Sequence, residues 1–425
     1  MNMPKRGSYI IPLAAALVVS ILGCKPPQKP PVAQQLDYAA ELPPGQLALR
    51  KLSPGEYPDF SQAILAFNVQ DLGKSIDHSL SYLNAPSSRS FFPYLDIDHD
   101  RAVASLHALK QLIQSESSGA TNDGGRHFDA TIKNAFEVYK SIGAPDPAGG
   151  RYTEQVLFTG YFTPIYNASL TRQGPFQYPL YKRPSDLVLD STGEHASRRT
   201  PEAGMAPYYT RKQIEQDHVL DGQELCWLAD RFDAYVITVQ GSARLRLPDG
   251  RIYEVGYNGN NGYEYTSPGR RMLADGLITK DQLTLRGLRN YFAAHPDAMD
   301  KYLSLNDRYI FFTERPGGPY GSLNVPVTAF ATIATDKSVY PRAMPAFLAV
   351  PVPSPSGGVT PFRGFMLDQD TGGGIRASGR CDIFMGIGQQ AEQLAGQELH
   401  PGELYYLAVK PELVPNYLHD TPRPE

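Results

Sequence analysis

Residues 362–388, FRGFMLDQDTGGGIRASGRCDIFMGIG, form the stretch of sequence that decides the fold. The glycines in this stretch leave the backbone free to bend sharply and to admit a ligand closely. Apolar triplets stand on both sides of the glycines, at 365–367 and at 383–385. This pattern predicts two buried strands joined by a tight loop, with Asp370 and Asp382 at the strand edges where chemistry can use their carboxylates.

The composition narrows the classes of function. The 425 residues are enough for two domains, and a formal net charge of -4 leaves no basic surface, so we expect no nucleic-acid partner. The nine histidines are scattered without zinc-binding spacing, and we predict no metal and no cofactor. The 26 tyrosines beside a single tryptophan suit surfaces that contact sugar polymers, and they suit strand-rich cores equally well.

The N-terminus has the pattern of a bacterial lipoprotein signal. Lys5 and Arg6 precede an apolar run at 10–22, and the residues Ile-Leu-Gly-Cys at 21–24 form a lipobox. We predict that residues 1–23 are removed, that Cys24 is acylated, and that the acyl chains hold the protein on a membrane. A lysine rather than an aspartate follows Cys24, which favours the periplasmic face of the outer membrane. The proline-rich residues 24–45 are interpreted as a tether.

The middle of the chain alternates between helical and strand patterns. Helical spacing predicts helices between residues 60 and 143, including one that begins at Asp100 and one over 128–142. A strand is predicted over 156–164, with a bulge or a close backbone approach at Thr159-Gly160. Further along, we predict a mobile loop over 190–204, a helix capped by Thr210 and Gln213, a hairpin over 233–255, a loop over 256–262, a helix that begins after Ser267, and mainly β structure from residue 308 onwards.

Two kinds of chemistry are open at the glycine loop. Paired aspartates suggest proton transfer at a glycosidic bond, although aspartates in such loops also serve as turn or capping residues. The other candidate is Cys381, because residues 378–381 are similar to the active-site loop of L,D-transpeptidases and Arg380 would lower the pKa of the thiol. That similarity is incomplete, since Arg380 separates glycine from cysteine and no His-Gly pair precedes it. A small buried residue is the other interpretation of Cys381.

From about residue 60 to its end, the chain resembles the membrane-bound lytic murein transglycosylase A family. The resemblance rests on ordered motifs at 159–164, 172–179, 239–242, 258–263, 311–312, 370–373 and 382–384. The C-terminal part resembles the domain named 3D for its three aspartates, which here are Asp336, Asp370 and Asp382. The resemblance implies a mainly β fold with N-terminal helices. Its core would be a double-psi β-barrel of the barwin and expansin type, formed by residues 46–165 and 305–425 and interrupted by a second β domain at 166–304, with a groove between them for the substrate.

The family also implies an activity. It would be a peptidoglycan lytic exotransglycosylase, a lyase that cleaves the MurNAc-β-1,4-GlcNAc bond without water and leaves 1,6-anhydromuramoyl products. Asp382 would act as the general acid and then as the base, and Asp370 would support it. We expect the burial of Asp382 among apolar neighbours, together with the charge of Asp370, to raise its pKa.

Substrate-binding residues follow from the same motifs: Thr159, Gly160, Tyr161, Gln240, Gly241, Ser242 and Asp336. The implied partners are peptidoglycan glycan strands, the membrane through Cys24, and complexes that build the cell wall. The alternatives are a peptidoglycan-binding lipoprotein without activity and a transpeptidase that uses Cys381.

Overall fold

The computed structural model describes Met1 and residues 36–66, 68–117, 123–190, 196–200 and 204–418. The predicted signal segment, the acylation of Cys24 and most of the tether therefore lie outside the described residues. Within those ranges, every helix is too short or too polar to cross a membrane.

The described residues form eleven α-helices and four short 3-10 helices. The helices are α1 Ala63–Ala66, α2 Val69–Asn84, α3 His99–Ser117, α4 Arg126–Ala135, α5 Arg211–Gln216, α6 Arg231–Gln240, α7 Pro268–Ala274, α8 Leu285–Ala294, α9 Ala298–Leu303, α10 Gln389–Gln397 and α11 Val414–Leu418. The 3-10 helices are Pro54–Glu56, Pro86–Phe91, Lys280–Gln282 and Pro411–Leu413.

The same ranges contain seventeen strands. They are β1 Leu49–Lys51, β2 Phe136–Ser141, β3 Val156–Thr163, β4 Ile165–Ser169, β5 Tyr178–Tyr181, β6 Leu187–Leu189, β7 Ala196–Thr200, β8 Gly204–Pro207, β9 Glu224–Leu228, β10 Ser242–Arg246, β11 Ile252–Asn260, β12 Ile310–Glu314, β13 Thr332–Ala334, β14 Pro345–Pro353, β15 Val359–Asp370, β16 Arg380–Ile387 and β17 Leu399–Val409.

The largest sheet closes into a six-stranded barrel. Its strand order is β17-β14-β15-β13-β16-β3, and β3 pairs back with β17. β13 is parallel to β15 and β16 is parallel to β3, whereas the other pairs in the barrel are antiparallel. β2 and β1 extend the sheet beyond β17. The predicted mainly β fold with N-terminal helices is therefore confirmed, and the double-psi crossing of its strands stays a prediction.

A second β unit is inserted in the chain between β3 and β13. Its sheet has the order β12-β11-β10-β4-β9-β5, and β6, β7 and β8 form a small third sheet beside it. The insert has hydrophobic clusters of its own, one around Leu180, Leu245 and Phe312 and another around Tyr208 and Phe311. Because the chain leaves the barrel at the end of β3, the insert begins next to the strand that carries Thr159.

The strands on either side of the glycine loop are both present, but the predicted tight connection between them was wrong. β13 lies between β15 and β16 and pairs with both, so residues 371–379 cross over a whole strand. The sequence alone could not show this, because β13 is only three residues long and lies about forty residues upstream.

Other local predictions were also wrong where tertiary pairing overrides the local pattern. The helix predicted over 128–142 ends at Ala135, since residues 136–141 pair with β17 as β2. The hairpin predicted over 233–255 begins with α6, whose first turn is capped by Asp230, and only β10 and β11 form the hairpin. The loop predicted over 256–262 contains the end of β11, and the loop predicted over 190–204 contains β7 and the first residue of β8. By contrast, β3, the Thr210 capping box and the helix after Ser267 are confirmed.

Candidate active site

The barrel brings the two aspartates of the glycine loop into one row. Asp370 and Asp382 are both in register with Ala334 of β13, and Asp382 is also in register with Thr159 of β3. On the far side of β3, Leu399 is in register with Thr159. Since neighbouring strands lie about 4.8 Å apart, the backbones of the two aspartates are about 10 Å apart.

The carboxylate of Asp382 is held by two polar neighbours and remains open to solvent. The hydroxyl of Thr159 donates a hydrogen bond to Oδ1 of Asp382. Nη2 of Arg380 lies 3.5 Å from the same oxygen and donates a hydrogen bond of 3.0 Å to the Thr159 hydroxyl. The Asp382 side chain is 17% exposed, so a substrate can reach it. Arg380 was not among the predicted site residues, although its place two residues before Asp382 on a strand was the available signal.

Asp370 serves as an anchor for two loops. Its Oδ1 accepts hydrogen bonds of 2.8 Å from the backbone N–H groups of Ser322 and Thr371. Burial raises the pKa of Asp370 to about 6, although these two hydrogen bonds act in the opposite direction. The capping role that the sequence left open for Asp370 is therefore present in the structure.

Tyr161 lies within range of the charges of both aspartates. It follows Thr159 by two residues on β3, and its buried hydroxyl interacts with the Asp370 carboxyl group, which lowers the pKa of Asp370. Burial raises the pKa of Tyr161 well above its usual value, and the negative charges of Asp370 and Asp382 add to this effect. The ring packs 5.1 Å from the ring of Phe384. An uncharged phenol thus stands close to both carboxylates.

Asp336, the third aspartate of the motif, lies beneath the glycine loop and is only 6% exposed. One of its oxygens accepts hydrogen bonds from the backbone and the hydroxyl of Ser338, and the other accepts a bond of 2.7 Å from the N–H of Ala377. Ala377 has a φ of 65°, a conformation that costs energy for alanine, so Asp336 stabilises the loop in a strained turn. Contact of Asp336 with substrate stays a prediction.

The predicted residues of the insert form its junction with β3. Gln240 accepts a hydrogen bond of 3.1 Å from the backbone N–H of Phe162, and the Ser242 hydroxyl lies 3.1 Å from that of Thr163. Gly241 ends α6 with a φ of 81°, which turns the chain from α6 into β10. These residues fix the insert beside the aspartate row, and their contact with sugar stays a prediction.

Comparison with known proteins agrees with this architecture. The family model described as the MltA specific insert domain matches residues 157–313, and the 3D domain matches residues 331–408. Together the two matches cover more than half of the chain and follow the order of insert and barrel seen in the structure. The chain belongs to the membrane-bound lytic murein transglycosylase A family.

Individual relatives show how far the similarity extends. The chain is 30% identical over 264 residues to the membrane-bound lytic murein transglycosylase A of Escherichia coli K12, a match of 60% of this chain and 66% of that protein, just under two thirds of its length. The crystal structure of a membrane-bound lytic murein transglycosylase from Agrobacterium tumefaciens matches 87% of this chain and 99% of its own, at a TM-score of 0.66 and 24% identity. E. coli MltA with bound chitohexaose matches 90% of this chain and 100% of its own, at a TM-score of 0.65 and 23% identity. These two structures share the fold.

Below the site of this family member lies a buried ion pair that the sequence analysis missed. Lys337, 5% exposed, donates a hydrogen bond to Oδ1 of Asp368, which is fully buried. Thr335 and Tyr406 each donate a hydrogen bond of 2.7 Å to Oδ2 of Asp368. The positive charge of Lys337 also lowers the pKa of Asp370, against the larger effect of burial. No spacing rule marks a lysine as buried, so only the fold could reveal this pair.

Gly160 is the point where α10 packs against β3, which confirms the close approach predicted at Thr159-Gly160. A Cβ atom placed on Gly160 would lie 2.7 Å from the Cα of Ala395 in α10. We expect Gly160→Ala to displace α10 or β3, to lower the free energy of unfolding by about 1–3 kcal/mol and to reduce activity, because Thr159 would move with the strand. Urea unfolding monitored by circular dichroism measures the change in stability.

The matched control for this prediction is Gly396→Ala in α10, the helix that packs against Gly160. A Cβ atom at Gly396 meets nothing within 4 Å, so alanine should leave the structure intact and stabilise α10 by about 0.5–1 kcal/mol. Equal stability changes for the two variants would show that α10 does not pack tightly on β3.

Cys381 faces the interior of the barrel. Its side chain is fully buried, and burial raises the pKa of the thiol well above its usual value. Because the thiolate is the nucleophilic form of cysteine, this position does not support a transpeptidase that uses Cys381.

Two features outside the aspartate row concern the binding of ligands. A cavity of about 490 Å³ opens within the insert, lined by residues such as Arg172, Tyr178 and Trp227 and by none of the residues of the row. Among the described residues, no group of three or more His, Cys, Asp or Glu side chains is arranged to hold a metal ion.

Proposed function

We propose that this protein is a lytic transglycosylase that cleaves the MurNAc-β-1,4-GlcNAc bond of peptidoglycan and leaves a 1,6-anhydromuramoyl end. The observation that carries the proposal is the position of Asp382. Both aspartates of the row are partly exposed, but backbone N–H groups engage Asp370, whereas the described hydrogen bonds of Asp382 come from side chains. The reaction class is inferred from membership of the family. The assignment of the reaction to Asp382 is inferred from its position in the aspartate row.

The chemistry needs only one carboxyl group. Protonated Asp382 gives its proton to the oxygen of the leaving GlcNAc, and it then accepts the proton of the C6 hydroxyl of MurNAc as that oxygen attacks C1. The nucleophile belongs to the substrate, so the reaction gains from proximity and requires no activated water. Thr159 and Arg380 hold the Asp382 carboxylate in place between the two proton transfers.

Asp370 has a supporting role in this mechanism. Its Oδ1 is engaged by two backbone N–H groups, which makes it a poor candidate for the second carboxylate that ordinary glycosidases need to activate water or to form a covalent intermediate. Asp370 instead fixes the glycine loop and the loop around Ser322 beside Asp382. This asymmetry between the two aspartates supports a mechanism without hydrolysis.

The substrate is a glycan strand that lies along the groove between the barrel and the insert, with Gln240, Gly241 and Ser242 at the junction. A solved E. coli relative with bound chitohexaose supports an oligosaccharide as ligand. We further propose that acylated Cys24 holds the enzyme on the periplasmic face of the outer membrane and that the barrel has the double-psi crossing. The name of the E. coli relative, a membrane-bound enzyme, supports the anchoring.

The products of digestion test the proposal. The purified full-length protein in detergent is incubated with peptidoglycan, and the released muropeptides are analysed by mass spectrometry beside a digest by a muramidase. We expect products that are one water molecule lighter than those of the muramidase. Products with hydrolysed ends would contradict the proposal. Binding of peptidoglycan without cleavage would favour the alternative function, a peptidoglycan-binding lipoprotein without activity.

A further inference from the structure

The cavity of about 490 Å³ within the insert takes no part in the mechanism above. It lies between the paired strands β5 and β9 on one side and the helices α5 and α6 on the other. Arg231 and Thr238 line it from α6. Gln240, at the junction with β3, follows Thr238 by two residues and is therefore turned about 200° around the helix. The cavity and the groove beside the aspartate row thus lie on opposite sides of α6.

The motif at 172–179, which the mechanism does not use, forms part of the aromatic side of this cavity. Tyr178 on β5 is 38% exposed, and Trp227 on β9 is the only tryptophan of the chain. The guanidinium group of Arg172 lies 5.4 Å from the centre of the Trp227 ring. Nε of Arg172 donates a hydrogen bond of 2.7 Å to the side chain of Gln177. Aromatic rings and planar polar groups therefore stand side by side along this wall.

The charged side chains that α5 and α6 bring to the cavity already have partners. Oε1 of Glu215 lies 2.6 Å from Nη1 of Arg211, which is fully buried, and Oε2 lies 3.9 Å from Nη2 of Arg231. Arg231 also forms an ion pair with Asp300. A charged ligand would have to break one of these pairs or remain unpaired itself, and an unpaired charge is costly away from water. This side of the cavity therefore favours a polar ligand without charge.

The remaining side chains of the cavity combine hydrogen-bonding groups with the aromatic rings. Arg172 and Glu224 on the strand side carry opposite charges, and the amide groups of Gln177 and Gln216 also line the cavity. A sugar ring has the matching surface, because it presents apolar C–H groups on its faces and hydroxyl groups around its rim. The volume lies within roughly 300–1,000 Å³, the usual range of pockets for small ligands. A short saccharide therefore suits the cavity in size and in chemistry.

We propose that this cavity is a second saccharide site, which binds a short, uncharged segment of N-acetylated amino sugars and does not cleave it. Residues of the aspartate row do not line the cavity, so a sugar bound there lies away from Asp382. The choice of N-acetylated sugars rests on the proposed function, since these are the units of the glycan strand. The existence of an uncharged saccharide site rests on the cavity itself.

The fluorescence of Trp227 tests the proposal, because the only tryptophan of the chain stands in the wall of the cavity. Chitotriose is titrated into the Asp382→Asn protein, so that turnover does not remove the ligand, and we expect a saturable change in tryptophan fluorescence. Adding Tyr178→Ala should weaken this binding at least about tenfold by removing an aromatic face. The control is Tyr257→Ala, at a tyrosine on β11 that is 40% exposed and does not line the cavity, and it should leave the titration unchanged.

Calorimetry on the same proteins keeps the test decisive if the fluorescence does not change. Trp227→Ala should bind one chitotriose molecule fewer than its parent. An equal number bound by both proteins, equal affinities in the Tyr178→Ala and Tyr257→Ala variants, or a response of Trp227 to the charged dipeptide Ala-Glu and not to chitotriose would each overturn the proposal.

The two proposals can fail independently. A wild-type protein that releases anhydro products, while the cavity binds no chitotriose, would refute the second saccharide site alone. Binding in the cavity by a protein that releases no such products would refute the proposed function alone.

Discussion

Replacing Asp382 by asparagine should abolish the release of anhydro products, with a loss of at least about a thousandfold in kcat. Asparagine keeps the size of the side chain and can still accept the hydrogen bond from Thr159. It can neither give a proton to the leaving oxygen nor take one from the C6 hydroxyl. Binding of glycan should therefore persist while turnover stops, which a pull-down with insoluble peptidoglycan and a product assay measure separately.

The matched control for Asp382→Asn is Cys381→Ala. Cys381 is the adjacent residue on β16, and its buried side chain points into the barrel. The alanine variant should keep most of the activity and lose only the packing of one sulfur atom. An inactive Cys381→Ala together with an active Asp382→Asn would reverse the assignment and favour chemistry at the thiol.

Replacing Lys337 by methionine should destabilise the protein by about 3–5 kcal/mol, because it leaves the buried Asp368 carboxylate without its positive partner. Two hydrogen bonds, from Thr335 and Tyr406, would remain on that carboxylate and would not replace the charge. Urea unfolding at neutral pH measures the loss. Since Asp368 lies directly below the row, activity should fall as well.

The stability that Lys337→Met loses should depend on pH in one direction. Burial raises the pKa of Asp368, and the charge of Lys337 opposes that effect in the wild type. Without Lys337 the pKa of Asp368 rises further. The loss in free energy of unfolding of Lys337→Met should therefore become smaller as the pH falls and Asp368 takes up a proton. The control is Lys74→Met, at an exposed lysine that pairs with Asp71, and we expect almost no change there. A deficit that does not depend on pH would argue against an uncompensated charge as its cause.

The sequence predicted most accurately the features that a short stretch of chain determines by itself. The apolar run that contains Thr159 and Gly160 formed β3, and the glycine there proved to be a contact point with α10. The aspartates at the two ends of the glycine loop came together in one row, as their flanking strands suggested. The family resemblance implies one catalytic acid rather than a pair of carboxylates that hydrolyse, and this assignment stays a proposal.

Features that depend on long-range pairing could not be predicted in this way. The insertion of β13 between β15 and β16 sets the separation of Asp370 and Asp382, and nothing in the glycine loop indicates it. Lys337 and Glu398 look like ordinary surface residues in the sequence, and only the folded structure buries them. Both are residues with ionisable side chains, and burial of such side chains cannot be recognised from local sequence patterns.

Digestion of peptidoglycan in water enriched in oxygen-18 tests the central claim most directly. If the C6 hydroxyl of MurNAc attacks C1, every atom of the new end comes from the substrate, and mass spectrometry should find products that lack the heavy isotope and are one water molecule lighter than hydrolysed ones. Incorporation of one heavy oxygen at each new end would show that water is the nucleophile. That result would contradict the assignment of Asp382 as an acid and base that acts without hydrolysis.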